Sequence, residues 1–372
     1  MKYIGIDLHS NKFTCCFLYE NNRKKLITYN LDSQGLKDFL KHVNRETSIM
    51  VEASTNTFGF VDRIKNAAKE VIIANTHKLK LISLVKKKTD KIDAEKLAIV
   101  LKMQIKSNQK MFEPVHLPND LIRKLRSLFT TYRLYRKHIT SIKNRIHSIY
   151  KQELMPFTKE YIFGKKTKAI LRQVNINPQA DFQLDLLFNE LDAKEISIKK
   201  ITHYIMYLAK PYKEQIDILT SMKGISLFIA IALIADISVL TRFNNSKKFA
   251  SYLRSTPGVD SSNETIKNLS TNKMGRRLSI TLLSQSLNHF RDSNPKIRKW
   301  YDKKIDNGKK RGKVRMAICR RVFTEIYQML KKKEYHYYRD VRNHINKMHA
   351  YTIFLENYRV PDKYAYNFKK CA

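Results

Sequence analysis

Residues 2–19 decide the fold: Lys2-Tyr-Ile-Gly-Ile-Asp7-Leu-His-Ser-Asn-Lys12-Phe-Thr-Cys-Cys-Phe-Leu-Tyr19. Lys2 to Ile6 and Lys12 to Tyr19 are β-rich runs, and Leu8-His9-Ser10-Asn11 between them reads as a tight hairpin. Lys25 to Tyr29 adds a third strand. Further out, Ser33 caps a helix through about His42, Ser48 to Glu52 is a short apolar strand, Phe58 to Lys69 a helix and Val71 to Ala74 another strand. A helix then begins near Asp90. By itself the pattern supports a mixed α/β domain; three strands followed by αβαβ and a helix is also the order of a ribonuclease H-like domain.

The charge balance narrows the function. Of 372 residues, 72 are Lys or Arg and 33 are Asp or Glu, a formal net charge of +39. Self-repulsion on this scale calls for a polyanion, and nucleic acid is the leading partner. A disordered basic tail is excluded by 43% hydrophobic and 10% aromatic residues with only nine Gly and eight Pro, enough to bury real cores. The longest uncharged apolar run, Gly224 to Ala235, falls short of the roughly 20 residues of a membrane-spanning helix. Asp7 falls where the apolar core of an export signal would stand, so a cytoplasmic, nucleoid-associated prokaryotic protein is expected. Cys15, Cys16, Cys319 and Cys371 form no CxxC pair and read as reduced thiols.

The clearest periodicity follows. Leu121, Leu125, Leu128, Tyr132, Tyr135, Ile139, Ile142, Ile146 and Ile149 alternate steps of four and three, the mark of a coiled-coil seam. The same stretch carries Arg123, Lys124, Arg126 and Arg133, then Arg136, Lys137, Lys143 and Arg145, with no acid among them. A second seam, Leu187, Leu191, Lys194, Ile198, Ile201, Ile205 and Leu208, begins among Asp181, Asp185, Glu190, Asp192 and Glu195. An antiparallel hairpin within one chain is therefore expected over a dimeric coil, its remaining basic face free for nucleic acid. Downstream, Leu219 to Ile237 reads as helix, turn at Lys223-Gly224, and apolar helix. Asn244 to Leu253 is helical, Ser255 to Thr271 a polar loop, and Arg276 to Phe290 and Val314 to Lys332 further helices. The segment after about Lys347 has few apolar anchors.

Certain acids are placed to converge. Gly5-Ile6-Asp7 puts a carboxylate near the end of the first strand, Glu52 ends the short strand, and Asp90 and Asp93 share one face at the start of a helix. Gathered together, such acids repel unless divalent cations lie between them, and hard oxygen donors favour Mg²⁺ or Mn²⁺. Singly, each has a plainer reading as a solvated strand-end acid, or as an N-cap with its first-turn acid.

At these residues the chain resembles a known family. Tyr3-Ile-Gly-Ile-Asp7, Met50-Val-Glu52-Ala-Ser and Lys88-Thr-Asp90-Lys-Ile-Asp93-Ala look like the three motif blocks of the DEDD transposases of the insertion-sequence one-ten family, relatives of the Piv-type DNA invertases. Ser221-Met-Lys-Gly224-Ile is similar to the family's helix-turn-helix element, followed by Arg242-Phe243, Tyr252-Leu253, Pro257 and a serine near position 262. The resemblance implies a RuvC-like, ribonuclease H-like α/β catalytic domain over residues 1–112 and a helical coiled-coil insertion over 113–210. It also implies a mostly α-helical transposase domain over 211–345, leaving a peripheral tail at 346–372. It further implies that Asp7, Glu52, Asp90 and Asp93 hold metal for phosphoryl transfer, and that a serine attacks the DNA backbone.

The serine stretch is Arg254-Ser-Thr-Pro257-Gly-Val-Asp-Ser261-Ser262-Asn263, in which Ser262 matches best and Ser261 is the fallback. Three positions depart from the family: Arg254-Ser255 replaces its Gly-Leu, Asn263 its Gly, and Gly275-Arg276-Arg277-Leu278-Ser279 its later Gly-Asn element. Lys267, Lys273, Arg276 and Arg277 suit phosphate contacts. So do Lys86-Lys87-Lys88 before the aspartates, and Lys309, Lys310, Arg311 and Lys313 around Gly312. The family's use of a structured non-coding guide RNA implies an RNA partner beside target and donor DNA, and a homo-oligomer, dimer or tetramer.

Other classes stay open. An actin-like kinase also begins Gly-Ile-Asp, but Leu8-His9-Ser10 stands where its phosphate-cradling Gly-Thr would be. A catalytically silent nucleic-acid-binding relative would keep the charge and lose the chemistry. A RuvC-like junction resolvase would use metal-activated water and would not need Ser262.

Overall fold

The computed structural model describes residues 1–75, 89–109, 114–155, 163–173, 175–262, 265–271 and 274–368, with the backbone alone at 165, 166, 259–262 and 265–271. Two compact units, Met1–Leu117 and Pro118–Ala372, divide it.

In the first unit, β1 (Lys2–Leu8), β2 (Lys12–Tyr19), β3 (Lys24–Asn30), β4 (Thr47–Glu52) and β5 (Glu70–Ala74) form one sheet of order β3-β2-β1-β4-β5. β1 is central, antiparallel to β2 and parallel to β4. Its alternation sends Ile4, Ile6 and Leu8 to one face and Tyr3, Gly5 and Asp7 to the other. The first face packs on Phe39 of α1 (Ser33–Leu40) and on Phe60, Val61 and Ile64 of α2 (Thr57–Ile64). The second, with Cys16, Leu18 and Met50, packs on Ala94, Leu97, Ala98 and Leu101 of α3 (Asp90–Ser107). Cover on both faces explains why these strands read as nearly unbroken apolar runs.

Local chemistry moves several boundaries. Asp32, not Ser33, caps α1, accepting from the Gly35 amide at 2.7 Å. Expected through Lys69, α2 ends at Ile64, because the Lys69 amide is drawn into the sheet edge and donates to the Thr47 carbonyl.

In the second unit, α4 (Asp120–Gln152) is followed by α5 (Lys165–Leu171) and α6 (Pro178–Leu208). Asn119 and Asn177 cap the two long helices. Ile139, Ile142, Ile146 and Ile149 meet Leu184, Phe188 and Leu191, while Leu121, Leu125 and Phe129 share a core with Ile205 and Leu208. The late part of α4 thus faces the early part of α6, an antiparallel pair within one chain. Midway along α4 the bulky phenols of Tyr132 and Tyr135 are only half-buried: Tyr132 turns to Phe228 at 4.7 Å, and Tyr135 lies under Lys194. The acids of α6 are compensated chiefly by α5, where Lys168 and Arg172 both hold Asp192.

The ends of this pair share one core with α7 (Lys213–Thr220), α8 (Leu227–Ile237), α9 (Ser246–Tyr252), α10 (Leu278–Gln285), α11 (Leu287–Ser293), α12 (Pro295–Asp306) and α13 (Arg311–Lys332). Two expectations change. The stretch Ser255 to Thr271, expected as a polar loop, contains a hairpin of β6 (Pro257–Ser262) and β7 (Thr265–Thr271), two strands without an apolar face to announce them. The first part of the expected peripheral tail, residues 346–357, belongs to α14 (Val341–Asn357), anchored by fully buried Tyr351, whose hydroxyl donates to the Met206 carbonyl at 2.9 Å.

Candidate active site

Asp7 reaches its place through a close approach of backbone to backbone. A Cβ on Gly5 would stand 2.1 Å from the Ala94 carbonyl oxygen and 2.3 Å from the Ala98 nitrogen, so only glycine lets α3 lie directly on β1. Thr89 caps α3, its hydroxyl accepting from the Ile92 amide, which leaves Asp90 and Asp93 as first-turn acids rather than caps. On β4, Val51 pairs with Ile6, so Glu52 comes level with Asp7 on the neighbouring strand and the same face. The sheet and one helix N-terminus therefore bring the expected acids to a single end of the unit.

Among the described residues, Asp7, His9 and Asp90 have ligand atoms within 4.8 Å of one another. The His9 Nε2 lies 3.2 Å from Asp7 Oδ2 and 3.3 Å from Asp90 Oδ1, and Lys12 Nζ lies 2.9 Å from Asp90 Oδ2. Asp93 pairs with Lys96 at 3.4 Å. Asp7 is 7% exposed. Burial raises its carboxyl above the ordinary range, His9 lowers it, and the charges of Asp90 and Asp93 raise it again. Lys12 above all, against some burial, holds Asp90 below that range, and His9 helps. A buried carboxylate destabilised by two other acids, with an imidazole between, is a donor set that suits a divalent cation. His9 was not singled out from the sequence; its position two residues after Asp7, in the turn that returns the chain along β2, was the available signal.

The serines lie in the other unit. Ser262 ends β6 and pairs with Thr265, and Ser261 pairs with Ile266, next to the tip of the two-stranded ribbon; their side chains lie outside the described residues. Lys86, Lys87, Lys88 and Lys273 lie outside them as well.

The remaining expected nucleic-acid contacts divide by burial. Arg133, Arg136, Lys137, Arg277, Lys309, Lys310, Arg311 and Lys313 are exposed. Arg123 and Lys124 pair with Asp120, Lys143 with Glu195, and Arg145 donates to Gln183. Arg126 and Arg276 are not simple surface cations. Arg126 donates to the carbonyls of Ala235 and Asp236 at the end of α8, and Arg276 Nε donates to the buried Asp236 carboxylate at 2.9 Å. The sequence cannot separate these from solvated arginines, because their partners lie 109 and 40 residues away.

Two family models match the chain: a DEDD transposase model of the IS110 type over residues 4–155, and the transposase IS116/IS110/IS902 family over residues 216–302. A search of the curated proteins finds no match. The first match spans the five-stranded sheet with Asp7, Glu52, Asp90 and Asp93, the second the hairpin with Ser262, and both define a DNA transposase or recombinase. The chain belongs to the IS110 family of DEDD transposases. Such a family implies DNA partners and a divalent metal. No described helix is long and apolar enough to cross a membrane.

Proposed function

We propose that the protein cuts and rejoins DNA at the ends of an insertion sequence by metal-dependent phosphoryl transfer, with Ser262 as nucleophile and Ser261 as the fallback. The observation that carries the reading is the meeting of Asp7 and Asp90 at one imidazole, with Glu52 level with Asp7 on the adjoining strand. Asp7, Glu52, Asp90 and Asp93 would hold Mg²⁺ or Mn²⁺. Bound there, the metal supplies charge neutralisation at the attacking and leaving oxygens of the phosphodiester. The chain's own residues do the rest. The α3–β1 contact at Gly5 fixes the spacing of the carboxylates, and Lys12 limits the repulsion between them. The ribbon presents Ser262 next to its tip, and the exposed cations of α4 and of the turn before α13 neutralise phosphates without reading sequence.

The surplus of positive charge supports a structured non-coding guide RNA beside the target and donor DNA, and association with the nucleoid; the family resemblance supports a homo-oligomer as the working unit. Purified protein with DNA, Mg²⁺ and the RNA transcribed beside its reading frame should form a covalent protein–DNA adduct. Ser262→Ala should abolish it; adduct persisting in that variant moves the nucleophile to Ser261 or elsewhere. Loss of adduct in Asp7→Asn supports the metal site, and undiminished adduct overturns it. Cleavage without adduct in the wild type means metal-activated water, as in a junction resolvase.

A further inference from the structure

We propose that Arg242 and Arg276, which lie beside Arg126, Asp236 and Tyr252 at the root of the β6–β7 hairpin, form a binding site for a backbone phosphate of DNA. The inference rests on the reading of the second unit as the DNA-handling part of the transposase.

Asp236 is fully buried, and its carboxylate is already committed. Oδ1 accepts from Arg276 Nε at 2.9 Å, while Oδ2 accepts from the Ser279 amide at 2.9 Å and the Ser279 hydroxyl at 2.8 Å. Arg242 lies over the Tyr252 ring at 4.0 Å and the Phe243 ring at 4.4 Å. Its Nε and Nη2 are buried, with no hydrogen-bond partner among the described residues. Tyr252 ties the group to the hairpin: its carbonyl accepts from the Arg276 amide at 2.9 Å, and the neighbouring Arg254 Nε donates to the Gly275 carbonyl at 2.7 Å.

Three guanidiniums thus lie close together while Arg276 alone is bonded to the Asp236 carboxylate and Arg126 to the Ala235 and Asp236 carbonyls, an imbalance that buried groups rarely tolerate. Burial first, and then the charges of Arg276 and Arg242, lower the Arg126 guanidinium below its usual range, against Tyr252 and Asp236, which raise it. Donors are in surplus as well. Each guanidinium carries five N–H groups in a fixed fork; Arg276 makes a single side-chain bond here, and the Nε and Nη2 donors of Arg242 have none. A buried donor without an acceptor marks a place where an acceptor binds. A phosphodiester offers one negative charge and the paired oxygens that a planar fork matches. A metal cation is repelled, and a carboxylate ligand has no reason to sit beside a DNA-cutting ribbon. DNA is favoured over RNA because the site stands at the foot of the strand that ends in Ser262, about 17 Å of extended chain from it. At that distance the site binds and orients the duplex without touching the reacting phosphate.

The test is equilibrium binding of the full chain to random-sequence duplex DNA over a salt series. In Arg242→Gln the slope of log affinity against log salt should fall by about one, the loss of a single phosphate contact, with equal weakening on every sequence. Arg276→Gln should do the same, but because it uncovers the buried Asp236 charge, Arg242→Gln, checked for native near-UV dichroism, decides. Arg242→Lys should recover the slope and not the full affinity. A folded Arg242→Gln with wild-type slope overturns the site, and a slope that falls on structured RNA while holding on DNA overturns its assignment to DNA. If the wild type makes no adduct at all, the serine mechanism fails while the slope still judges the phosphate site.

Discussion

The His9 imidazole stands 3.2 Å from the Asp7 carboxylate through the same nitrogen that lies 3.3 Å from Asp90. It is a nitrogen donor in a site otherwise built of oxygens, and imidazole suits transition metals better than Mg²⁺. Replacing His9 by Ala should therefore weaken Mn²⁺ binding about tenfold and Mg²⁺ binding much less. Titration of Mn²⁺ by electron paramagnetic resonance, with Mg²⁺ as competitor, reads both affinities. Equal losses for the two ions would remove His9 from the donor set.

Gly5→Ala tests how the carboxylates are brought together. The new methyl would press on backbone atoms of Ala94 and Ala98, which cannot turn away as a side chain can. Forcing α3 off the sheet should cost about 3 kcal/mol, the upper end for overpacking. It should also displace Asp90 and Asp93 from Asp7, so that divalent-metal stabilisation in a thermal melt shrinks along with the melting temperature. A variant as stable as the wild type would contradict the close α3–β1 contact.

Asp236→Asn keeps the shape of the buried side chain and removes its charge. The Ser279 amide keeps an acceptor, but Arg276 and Arg126 lose the only counter-charge that the described residues of the cluster supply. Breaking a fully buried pair costs about 3–5 kcal/mol; Arg276 is 36% exposed and solvent screens it, so about 2 kcal/mol is expected in urea unfolding. If Arg276→Gln is destabilising too, the double variant should cost less than the sum of the singles.

Acid should loosen the contact between α5 and α6 through Asp192. Burial raises its carboxyl, but hydrogen bonds from Lys168 and Arg172 outweigh that and leave it below the ordinary range. A carboxyl lowered by folding contributes stability fully present above the unfolded value of about 3.9 and lost as pH falls towards the folded one. Asp192→Asn should thus be less stable at neutral pH and show a flatter acid limb below about pH 4. Limited proteolysis around α5, followed against pH, should show the wild type opening towards the variant's susceptibility; parallel curves would acquit this carboxylate.

Much of the first unit was legible because its signals are local. Tyr3-Ile-Gly-Ile-Asp7 alternates apolar and special residues at the period of a strand, and Thr89-Asp90 opens a helix by capping chemistry that acts over three residues. The hairpin carrying Ser262 reads as a loop in sequence because Pro257-Gly-Val-Asp-Ser-Ser262 has no apolar face to bury; its strands are held by pairing with each other. The α14 anchor is silent in sequence because Tyr351 and His344 mean little until Met206 and Asp217 lie beside them.

Periodicity, capping and charge depend on neighbours a few positions apart, so the chain alone specified most of its elements, its acids and its need for a polyanion. Which cations remain available to that polyanion was settled only when distant segments met. Arg126 and Arg133 look alike in sequence, yet one closes the end of α8 and the other faces solvent. His9 entered the acid cluster and Arg242 lost its water by the same route, since burial and charge pairing are properties of three-dimensional proximity that no spacing along the chain encodes.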